Sequence, residues 1–507
     1  MRKSLSLPFA AAAVASLLSG CGMSNVTSTN PTSPSGDSAP VSISMTDDPP
    51  QGVQVLFFQV SLMDASLTPA SGSPVSLLNG NTPIQIDVTQ LQALSAFLST
   101  ANVSPGSYTG LSLTFGSPLL VIFNASDSSI ASTCAVGSVC QLTPTIDDDS
   151  ATVNLTSAPF PVTVSANSPL GFLVDFHLNT IIQSDLSVNL GVTNGITVGE
   201  LPPMPTPSPR FGFLNGTVES VNASQNQFTL QTPWGRTFTI EASSSTMFSD
   251  FPSSACTTAG IACLAQNQVV QVQISGIESG GILMASQVTY LQEASQQTVE
   301  GIIFSYSATG MKILLRGNPT FNSALPLGGV ASVTFATGTT FSVDADGFTI
   351  PSGLTFAGVE NLTAGQTVKV NVQGSLTSTG TGPTSGWGPP PSVSFTTNSV
   401  QLEPGQVTGN ISALASPDFT LQYSVWPPCW PPLPCPNIVA LVSTDVQTTS
   451  QTTYMGFDPD SFSGLAVNGV VSVNGWLFEE DNGMMDPAVT PPTILAQTVS
   501  DHPNAVF

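Results

Sequence analysis

Apolar and polar residues alternate along most of the chain with the period of two that a β-strand produces. In the segment 174–179, Val174, Phe176 and Leu178 fall on one face and the polar residues fall on the other. A short segment, 89–99, suits one or two helical turns instead. The pattern predicts an all-β fold, with a β-sandwich and Greek-key connections over residues 40–200. Its predicted strands are 41–47, 53–69, 83–88, 108–115, 119–126, 151–156, 170–178 and 186–192.

The chain repeats itself after residue 210. Gly216, Gly301 and Gly409 each open a strand, a short polar turn and a second strand. These spacings are too long and too irregular for a solenoid, and they favour three tandem small OB-like β-barrels of five or six strands. A second shared segment follows in each copy, at 264–276, 362–374 and 465–475, and closing strands follow at 282–288, 494–499 and, less clearly, 392–402.

A short apolar run precedes the first strand. Arg2 and Lys3 come first, and residues 7–18 are apolar but too few to span a bilayer, which takes about 20 residues. This arrangement is typical of a secretory signal peptide. The sequence Leu18-Ser19-Gly20-Cys21 resembles the bacterial lipobox, and the resemblance implies cleavage before Cys21 and attachment of lipid to its thiol. An ordinary signal peptide followed by a chance cysteine is the alternative.

The lipobox resemblance also implies a location in the cell envelope. Gly22 stands where the lipoprotein family places the aspartate that favours retention in the inner membrane, so the outer membrane is expected, on its periplasmic or surface face. Residues 22–39 hold almost no apolar side chain and predict a disordered tether. The predicted organisation is a signal peptide 1–20, a tether 21–39, a sandwich 40–200, a proline-rich linker 201–210, and barrels at 211–294, 298–403 and 404–500.

Two stretches carry family resemblances. The opening VSISMTDDPPQGVQVLFFQVSLMDASL, with the later VSPGSYTGLSLTF and FLVDFHL, resembles domain of unknown function 4382, which occurs in exported bacterial proteins and often in lipoproteins. That resemblance implies a sandwich-like exported domain and brings no catalytic residue with it. The three repeats resemble domain of unknown function 5666, with its Gly-x-x-Val-x-Val-x-Gly centre. Gly365, Val368 and Val370 fit that centre, and its last glycine, Gly374, follows two residues later than the motif places it, whereas Asn267 stands for the first glycine in the first copy.

Charge narrows the choice of partner. The chain has 31 acidic and 7 basic residues, a formal net charge of −24, and such a surface repels nucleic acid. Between Lys3 and Arg210 there are twelve carboxylates and no lysine or arginine. That stretch cannot form an internal salt bridge with either residue. Its acids are therefore expected to be solvated, hydrogen-bonded or matched by a bound cation.

Six of the seven cysteines form three close pairs, Cys134/Cys140, Cys256/Cys263 and Cys429/Cys435. An exported chain folds where disulfides form, and local pairing is the simplest of the fifteen possible connectivities. A metal site is the alternative, but these spacings lack the Cys-x-x-Cys and histidine partners of zinc ligation.

Acidic and histidine residues offer two candidate sites. Asp147 and Asp149, in the run Asp147–Asp149, suit Ca²⁺, the one cofactor that the sequence suggests, although three adjacent acids are often just a solvated loop. Asp344 opens a similar fragment that is better explained as a turn. His177 shares a predicted face with Asp175, but no Gly-x-Ser-x-Gly elbow supplies a nucleophile, and the polar face of a half-buried strand explains the pair.

Tryptophans offer a third candidate. Trp426 and Trp430 flank prolines beside the last cysteine pair, and Trp387 lies in an insertion of the middle repeat. Exposed aromatic rings on stiff loops stack on sugar rings or anchor a protein partner. The alternative is that each ring folds back on its own barrel.

These features together predict a lipid-anchored cell-envelope lipoprotein with a binding or scaffolding role, whose ligand is a glycan or an envelope protein. No catalytic constellation is present, and the protein is expected not to be an enzyme. Two alternatives stay open: a hydrolase of envelope polysaccharide that uses paired carboxylates, and a calcium-dependent adhesion module.

Overall fold

The structure is a computed structural model in which part of the chain is described. The described residues are 38–48, 55–78, 82–91, 95–124, 129–143, 150–183, 186–201, 212–252, 256, 260–278, 280–318, 324–345, 347–383, 386–425, 440–479 and 492–501.

In the described parts of the N-terminal domain, here residues 39–201, there are eleven strands, a 3-10 turn at Val88–Gln90 and one short helix, α1 (Leu178–Ile181). No helix in the described ranges is long and apolar enough to cross a membrane. The strands are β1 (Ala39–Asp48), β2 (Val55–Pro69), β3 (Val75–Ser76), β4 (Ile84–Asp87), β5 (Ala96–Val103), β6 (Gly106–Phe123), β7 (Val139–Thr143), β8 (Ser150–Leu155), β9 (Val162–Val164), β10 (Leu170–His177) and β11 (Ile196–Leu201).

The strands of the N-terminal domain belong to two sheets. One sheet has the order β11-β10-β1-β5, and the other is built on the long β2–β6 pair, to which β3, β4, β7, β8 and β9 attach. Both sheets contribute to one hydrophobic cluster, for example Ile43, Phe115 and Phe172, all fully buried. The predicted all-β class is confirmed. β1 and β10 pair in parallel, which the sequence pattern did not reveal, and the Greek-key sandwich stays a prediction.

Four predicted segments of this domain differ in the structure. Segments 108–115 and 119–126 form the single strand β6, which ends at Phe123. Segment 89–99 gives the 3-10 turn and then β5, because the Asp87 carboxylate accepts the Thr89 N–H (3.2 Å) and caps the turn. Segment 186–192 is not a strand: Leu186 adopts a φ of 66°, outside the β region.

The alternation predicted for 174–179 is present in β10, but the face that carries Asp175 is more deeply buried than a half-buried strand implies. Phe172, Val174 and Phe176 face the domain core as expected, with no exposed surface. Asp175 on the other face is only 8 % exposed, and Leu173 packs against the core of the first barrel. β10 is therefore largely covered on both faces, because barrel 1 packs against the side opposite the domain core.

Three small closed barrels follow, as predicted. Barrel 1 contains β12 (Phe213–Asn222), β13 (Gln227–Gln231), β14 (Thr237–Ser249), β15 (Gln268–Ile277) and β16 (Leu283–Glu293). Barrel 2 contains β17 (Thr298–Ser307), β18 (Gly310–Gly317), β19 (Val330–Val343), β20 (Thr367–Asn371), β21 (Gln373–Gly380), β22 (Gly386–Gly388) and β23 (Ser392–Glu403). Barrel 3 contains β24 (Gly405–Ala415), β25 (Asp418–Val425), β26 (Ala440–Gln447), β27 (Thr453–Met455), β28 (Val470–Phe478) and β29 (Thr493–Asp501).

All three barrels close in the same way. The order is β12-β13-β14-β16-β15 in barrel 1, β17-β18-β19-β23-β20 in barrel 2 and β24-β25-β26-β29-β28 in barrel 3, and the last strand of each series pairs again with the first. In each barrel the third strand runs parallel to the closing strand. This five-stranded Greek-key closure is OB-like. It assigns β23 as the closing strand of the middle copy, which the sequence left less clear.

A shared irregularity lies along the third strand of the barrels. In barrels 1 and 2 the register of this strand against the closing strand slips by three residues, so that Ala242 to Met247 in barrel 1 faces only Ala285 to Gln287. In barrel 3 the strand is interrupted: β26 ends at Gln447, and the separate strand β27 pairs further along the closing strand β29. A threonine hydroxyl fills the gap with a hydrogen bond to a carbonyl of the closing strand. The three bonds are Thr246 Oγ1 to Ala285 O (2.7 Å), Thr339 Oγ1 to Thr397 O (3.1 Å) and Thr452 Oγ1 to Ala496 O (2.8 Å).

The turn before the fourth strand is shared as well. In each barrel a 3-10 turn lies shortly before this strand. Between that turn and the strand, one residue has a left-handed backbone: Asn267 (φ 70°), Gly365 (φ 95°) and Asn468 (φ 68°). Asparagine tolerates this region better than other non-glycine residues. Asn267 therefore replaces the glycine without changing the turn.

Candidate functional site

The structure contains two of the three predicted disulfides. Cys134 and Cys140 are joined across a Cα–Cα distance of 5.5 Å, and Cys256 and Cys263 across 4.6 Å. The first closes the β6–β7 loop of the N-terminal domain, and the second lies between β14 and β15 of barrel 1. The other predicted site residues lie outside the described ranges: Cys21, Asp147, Asp149, Trp426, Trp430, Cys429 and Cys435.

His177 and Asp344 have structural surroundings. His177 Nε2 lies 3.2 Å from Thr197 Oγ1 on the neighbouring strand β11. Asp344, at the end of β19, accepts a hydrogen bond from Lys369 Nζ at 3.1 Å. His177 lies at the end of β10, and Asp344 directly follows β19.

Trp387 crosses from barrel 2 to the N-terminal domain. Its strand β22 lies in the barrel 2 insertion but pairs with β7, where Trp387 faces Leu142. The ring packs against the N-terminal core, and its carbonyl accepts a hydrogen bond from Thr133 Oγ1 (2.9 Å). The tryptophan therefore folds back on the protein, although on a different domain from its own.

A cleft of about 390 Å³ opens beside this crossing. The N-terminal domain supplies one wall through the disulfide-closed β6–β7 loop, and barrel 2 with its insertion supplies the other. The wall residues are Phe123, Gly137, Ser138, Val139, Phe304, Ser305, Lys312, Val330, Pro389, Pro390 and Ser392. No aspartate or glutamate occurs among these described lining residues.

Lys312 brings a positive charge to the cleft. It is exposed on β18, and its neighbours across the sheet are Ser305 on β17 and Ser332 on β19. Within the described part of the chain, its ammonium makes no ion pair or hydrogen bond. It therefore remains available to a ligand.

The other described cations are used inside the protein. Arg236 of barrel 1 is 5 % exposed, and its Nη2 donates to Thr82 O of the N-terminal domain at 2.9 Å. Burial lowers the pKa of this guanidinium. The T-shaped rings of Phe97 and Phe238, with centroids 5.8 Å apart, lie at the same junction.

Arg316 joins barrel 2 to the N-terminal domain. Its Nε lies 3.2 Å from Asp87 Oδ2, and its Nη2 donates to Thr89 Oγ1 at 2.7 Å. The two charged side chains are 11 % and 6 % exposed. The N-terminal domain, which has no cation of its own, thus obtains one from barrel 2. This source of counter-charge was absent from the sequence interpretation.

Lys369 is the centre of a buried cluster in barrel 2. Its Nζ lies 3.1 Å from Asp344 Oδ2 and 3.2 Å from Glu403 Oε1, and Glu300 is its pairing partner on β17. Burial lowers the pKa of Lys369, but the charges of Glu403 and Asp344 outweigh burial and raise it overall. Burial raises the pKa of Glu403 strongly and that of Glu300 as well.

Trp476 joins barrel 3 to barrel 2. It lies on β28, has no exposed surface and belongs to the hydrophobic core of barrel 2. Its Nε1 donates to Asp344 O at 2.7 Å, which gives the buried indole its hydrogen bond. From the other side, Gln366 Nε2 of barrel 2 donates to Leu477 O at 3.0 Å.

Two family models match the chain, one over most of the N-terminal domain and one over most of barrel 1. Residues 38–193 match the family model described as Domain of unknown function (DUF4382). Residues 215–289 match the model described as Domain of unknown function (DUF5666). No curated protein matches the chain. The DUF4382 segment covers β1 to β10, and the DUF5666 segment covers most of barrel 1; neither description indicates an enzyme family.

Barrels 2 and 3 lie beyond the DUF5666 segment but repeat its fold. The shared closure, the threonine at the third-strand slip and the left-handed turn were all present in the sequence as weak signals. Thr-x-Phe occurs at Thr246 and Thr339, and Thr-x-Tyr occurs at Thr452. This motif would have aligned the three third strands. The cleft had no comparable signal, because its walls come from residues far apart in the chain.

Proposed function

We propose that this protein is a lipid-anchored scaffold of the cell envelope, which binds a glycan or an envelope protein on a body whose domains are fixed to one another. The observation that carries the proposal is the set of buried junctions. Each barrel places at least one buried polar or aromatic side chain on its neighbour, namely Arg236, Arg316 and Trp476.

These junctions favour a scaffold over loosely linked modules. Bending at the Arg316 junction separates a mostly buried ion pair, and bending at the Trp476 junction exposes an indole to water. Both changes cost free energy, since an unpaired buried charge and an exposed large aromatic ring are unfavourable. A body joined in this way holds bound partners at fixed separations.

An extracytoplasmic location fits the two disulfides, which persist in oxidising compartments. The lipid anchor is supported by the lipobox resemblance at Cys21. Two or three acyl chains anchor a protein stably, whereas one chain anchors it only marginally.

The two alternatives gain no specific support. A polysaccharide hydrolase needs a carboxylate pair in a cleft, and the lining described above has none. In the described ranges no group of three or more His, Cys, Asp or Glu side chains is arranged to hold a metal ion. The Asp147–Asp149 run lies outside those ranges, so the calcium module rests on the sequence alone.

The test uses the full chain in a bacterial envelope, beside a Cys21→Ser variant. We expect the wild-type protein to incorporate a labelled fatty acid and to sediment with membranes, and the variant to do neither. Cross-linking in intact cells, read by mass spectrometry for proteins and glycans, should recover the same partner from several of the four domains. A wild-type protein without lipid, or with no reproducible partner, contradicts the proposal.

A further inference from the structure

We propose that the cleft between the N-terminal domain and barrel 2 binds an acidic saccharide, whose carboxylate pairs with Lys312. This inference deepens the binding role proposed above and rests on it, while it needs neither the lipid anchor nor a protein partner. It assigns a site and a ligand class that neither family description contains.

The size and walls of the cleft suit a small ligand. Its volume of about 390 Å³ lies within the usual range for ligand sites, roughly 300–1,000 Å³. Phe304 is half-buried, and with Pro389 and Pro390 it gives the barrel side an apolar wall. Such a wall matches the apolar face of a pyranose ring.

Hydroxyl groups lie among these apolar residues. Ser305 is exposed, and its hydroxyl makes no hydrogen bond within the described part of the protein. Ser392 Oγ accepts a hydrogen bond from Thr379 Oγ1 at 3.0 Å, which leaves its own O–H to donate. Across the cleft, Ser138 Oγ donates to Ala135 O and can still accept. Serines on both walls thus match the hydroxyl groups of a sugar.

The charge of the cleft favours an acidic saccharide over a neutral one. Among the described residues Lys312 is exposed and has no ion-pair partner, whereas Arg236, Arg316 and Lys369 are all engaged at junctions or in buried clusters. An ammonium without a competing carboxylate in the described lining favours an oxyanion. The net charge of −24 opposes this at long range, but at physiological ionic strength the Debye length is about 8 Å and screens most of it.

The purified full chain, with its lipid held in detergent, provides the test. Isothermal titration calorimetry compares digalacturonate with the neutral disaccharide digalactose. We expect digalacturonate to bind at least about tenfold more tightly, since a charge-assisted hydrogen bond is stronger than a neutral one. Acetate and inorganic phosphate form a further arm and should bind far more weakly than digalacturonate.

Variants locate the site. Lys312→Gln should weaken digalacturonate binding at least about tenfold and leave digalactose unchanged, whereas Lys312→Arg should retain binding. Gln225→Glu, on an exposed turn of barrel 1, changes the net charge by the same amount and should have no effect. Ser305→Trp fills the cleft and should remove binding of both sugars.

Each contrary outcome overturns the proposal. Equal affinity of wild type and Lys312→Gln for digalacturonate, or persistence of binding in Ser305→Trp, places the ligand elsewhere. Equal affinity for the two sugars removes the acidic class, and equal affinity for phosphate removes the saccharide. No heat change with any probe refutes the proposal, while lipid labelling and cross-linking still decide the scaffold role separately.

Discussion

Barrel 2 is joined to the N-terminal domain and to barrel 3 in different ways. Towards the N-terminal domain it extends a charge, Arg316, which meets Asp87 in mostly buried surroundings. Towards barrel 3 it receives an apolar side chain, Trp476, within its own core. The N-terminal domain and barrel 3 both lack lysine and arginine among their described residues. The difference teaches that barrel 2 supplies the N-terminal domain with a cation, as barrel 1 does through Arg236, whereas it meets barrel 3 through a buried indole.

The most damaging change to the apolar junction is Trp476→Ala. We expect it to lower the free energy of unfolding by about 3–5 kcal/mol, because it leaves a cavity and an unpaired Asp344 carbonyl. Chemical denaturation measures this loss. Trp387→Ala is the matched control, since that ring is only half-buried and should cost clearly less. Equal losses from the two variants would show that the junction does not depend on the buried indole.

At the charged junction, Arg316→Met leaves Asp87 buried without its cation. We expect a loss of about 3 kcal/mol, near the lower limit for breaking a buried pair, because Thr89 and Gln90 still donate hydrogen bonds to Asp87. Adding Asp87→Asn should recover part of the loss. A double-mutant cycle measures the coupling, and a coupling near zero contradicts an ion pair at this junction.

The two disulfides can be compared by removing each in turn, because only one of them lies in a wall of the cleft. Replacing Cys134 and Cys140 by alanine should lower the free energy of unfolding by about 2 kcal/mol on the chain-entropy model. Replacing Cys256 and Cys263 should have a similar effect, since the loops have nearly equal length. Only the first pair closes the loop that lines the cleft, so only its removal should also weaken digalacturonate binding. If removal of Cys256 and Cys263 weakened digalacturonate binding more than removal of Cys134 and Cys140, the ligand would lie near barrel 1.

The smallest expected effect is a pH dependence from the buried cluster. Burial raises the pKa of Glu403 above its ordinary value of 4.5, so the folded state holds that proton more tightly than the unfolded state. This contribution to stability is complete below about pH 4.5 and is lost as pH rises through the raised pKa. Glu403→Gln should therefore flatten the stability profile there, by at most about 1.4 kcal/mol per pH unit. An unchanged profile contradicts the raised pKa.

Local signals predicted much of the fold. Alternation located most strands, and the spacing of Gly216, Gly301 and Gly409 located the three barrels. It failed for segment 186–192, where the backbone of Leu186 is left-handed, and for the burial of the β10 face that carries Asp175, where Leu173 packs against barrel 1. The second failure has a tertiary cause that a single segment does not carry.

The candidate site was less accessible to sequence reasoning. Lys312 shows nothing unusual in its own strand, and its importance comes from what surrounds it. Arg316 meets Asp87 at a separation of 229 residues, and Thr133 meets Trp387 at 254. No periodicity or motif encodes such pairings, because they depend on how finished domains pack. The conspicuous tryptophan Trp387 was a junction residue, whereas an ordinary lysine faces the cleft.

The pairing of β22 with β7 has a consequence for biosynthesis. A ribosome adds about 5–20 residues per second, so the chain between Thr133 and Trp387 takes roughly 10–50 s to make. Throughout that interval the edge of β7 lacks its partner strand, and an unprotected edge is a site for pairing with other chains. The first domain of this protein is thus completed by a strand that belongs to the third, and a chain truncated before Trp387 would leave the β7 edge open to pairing with other chains.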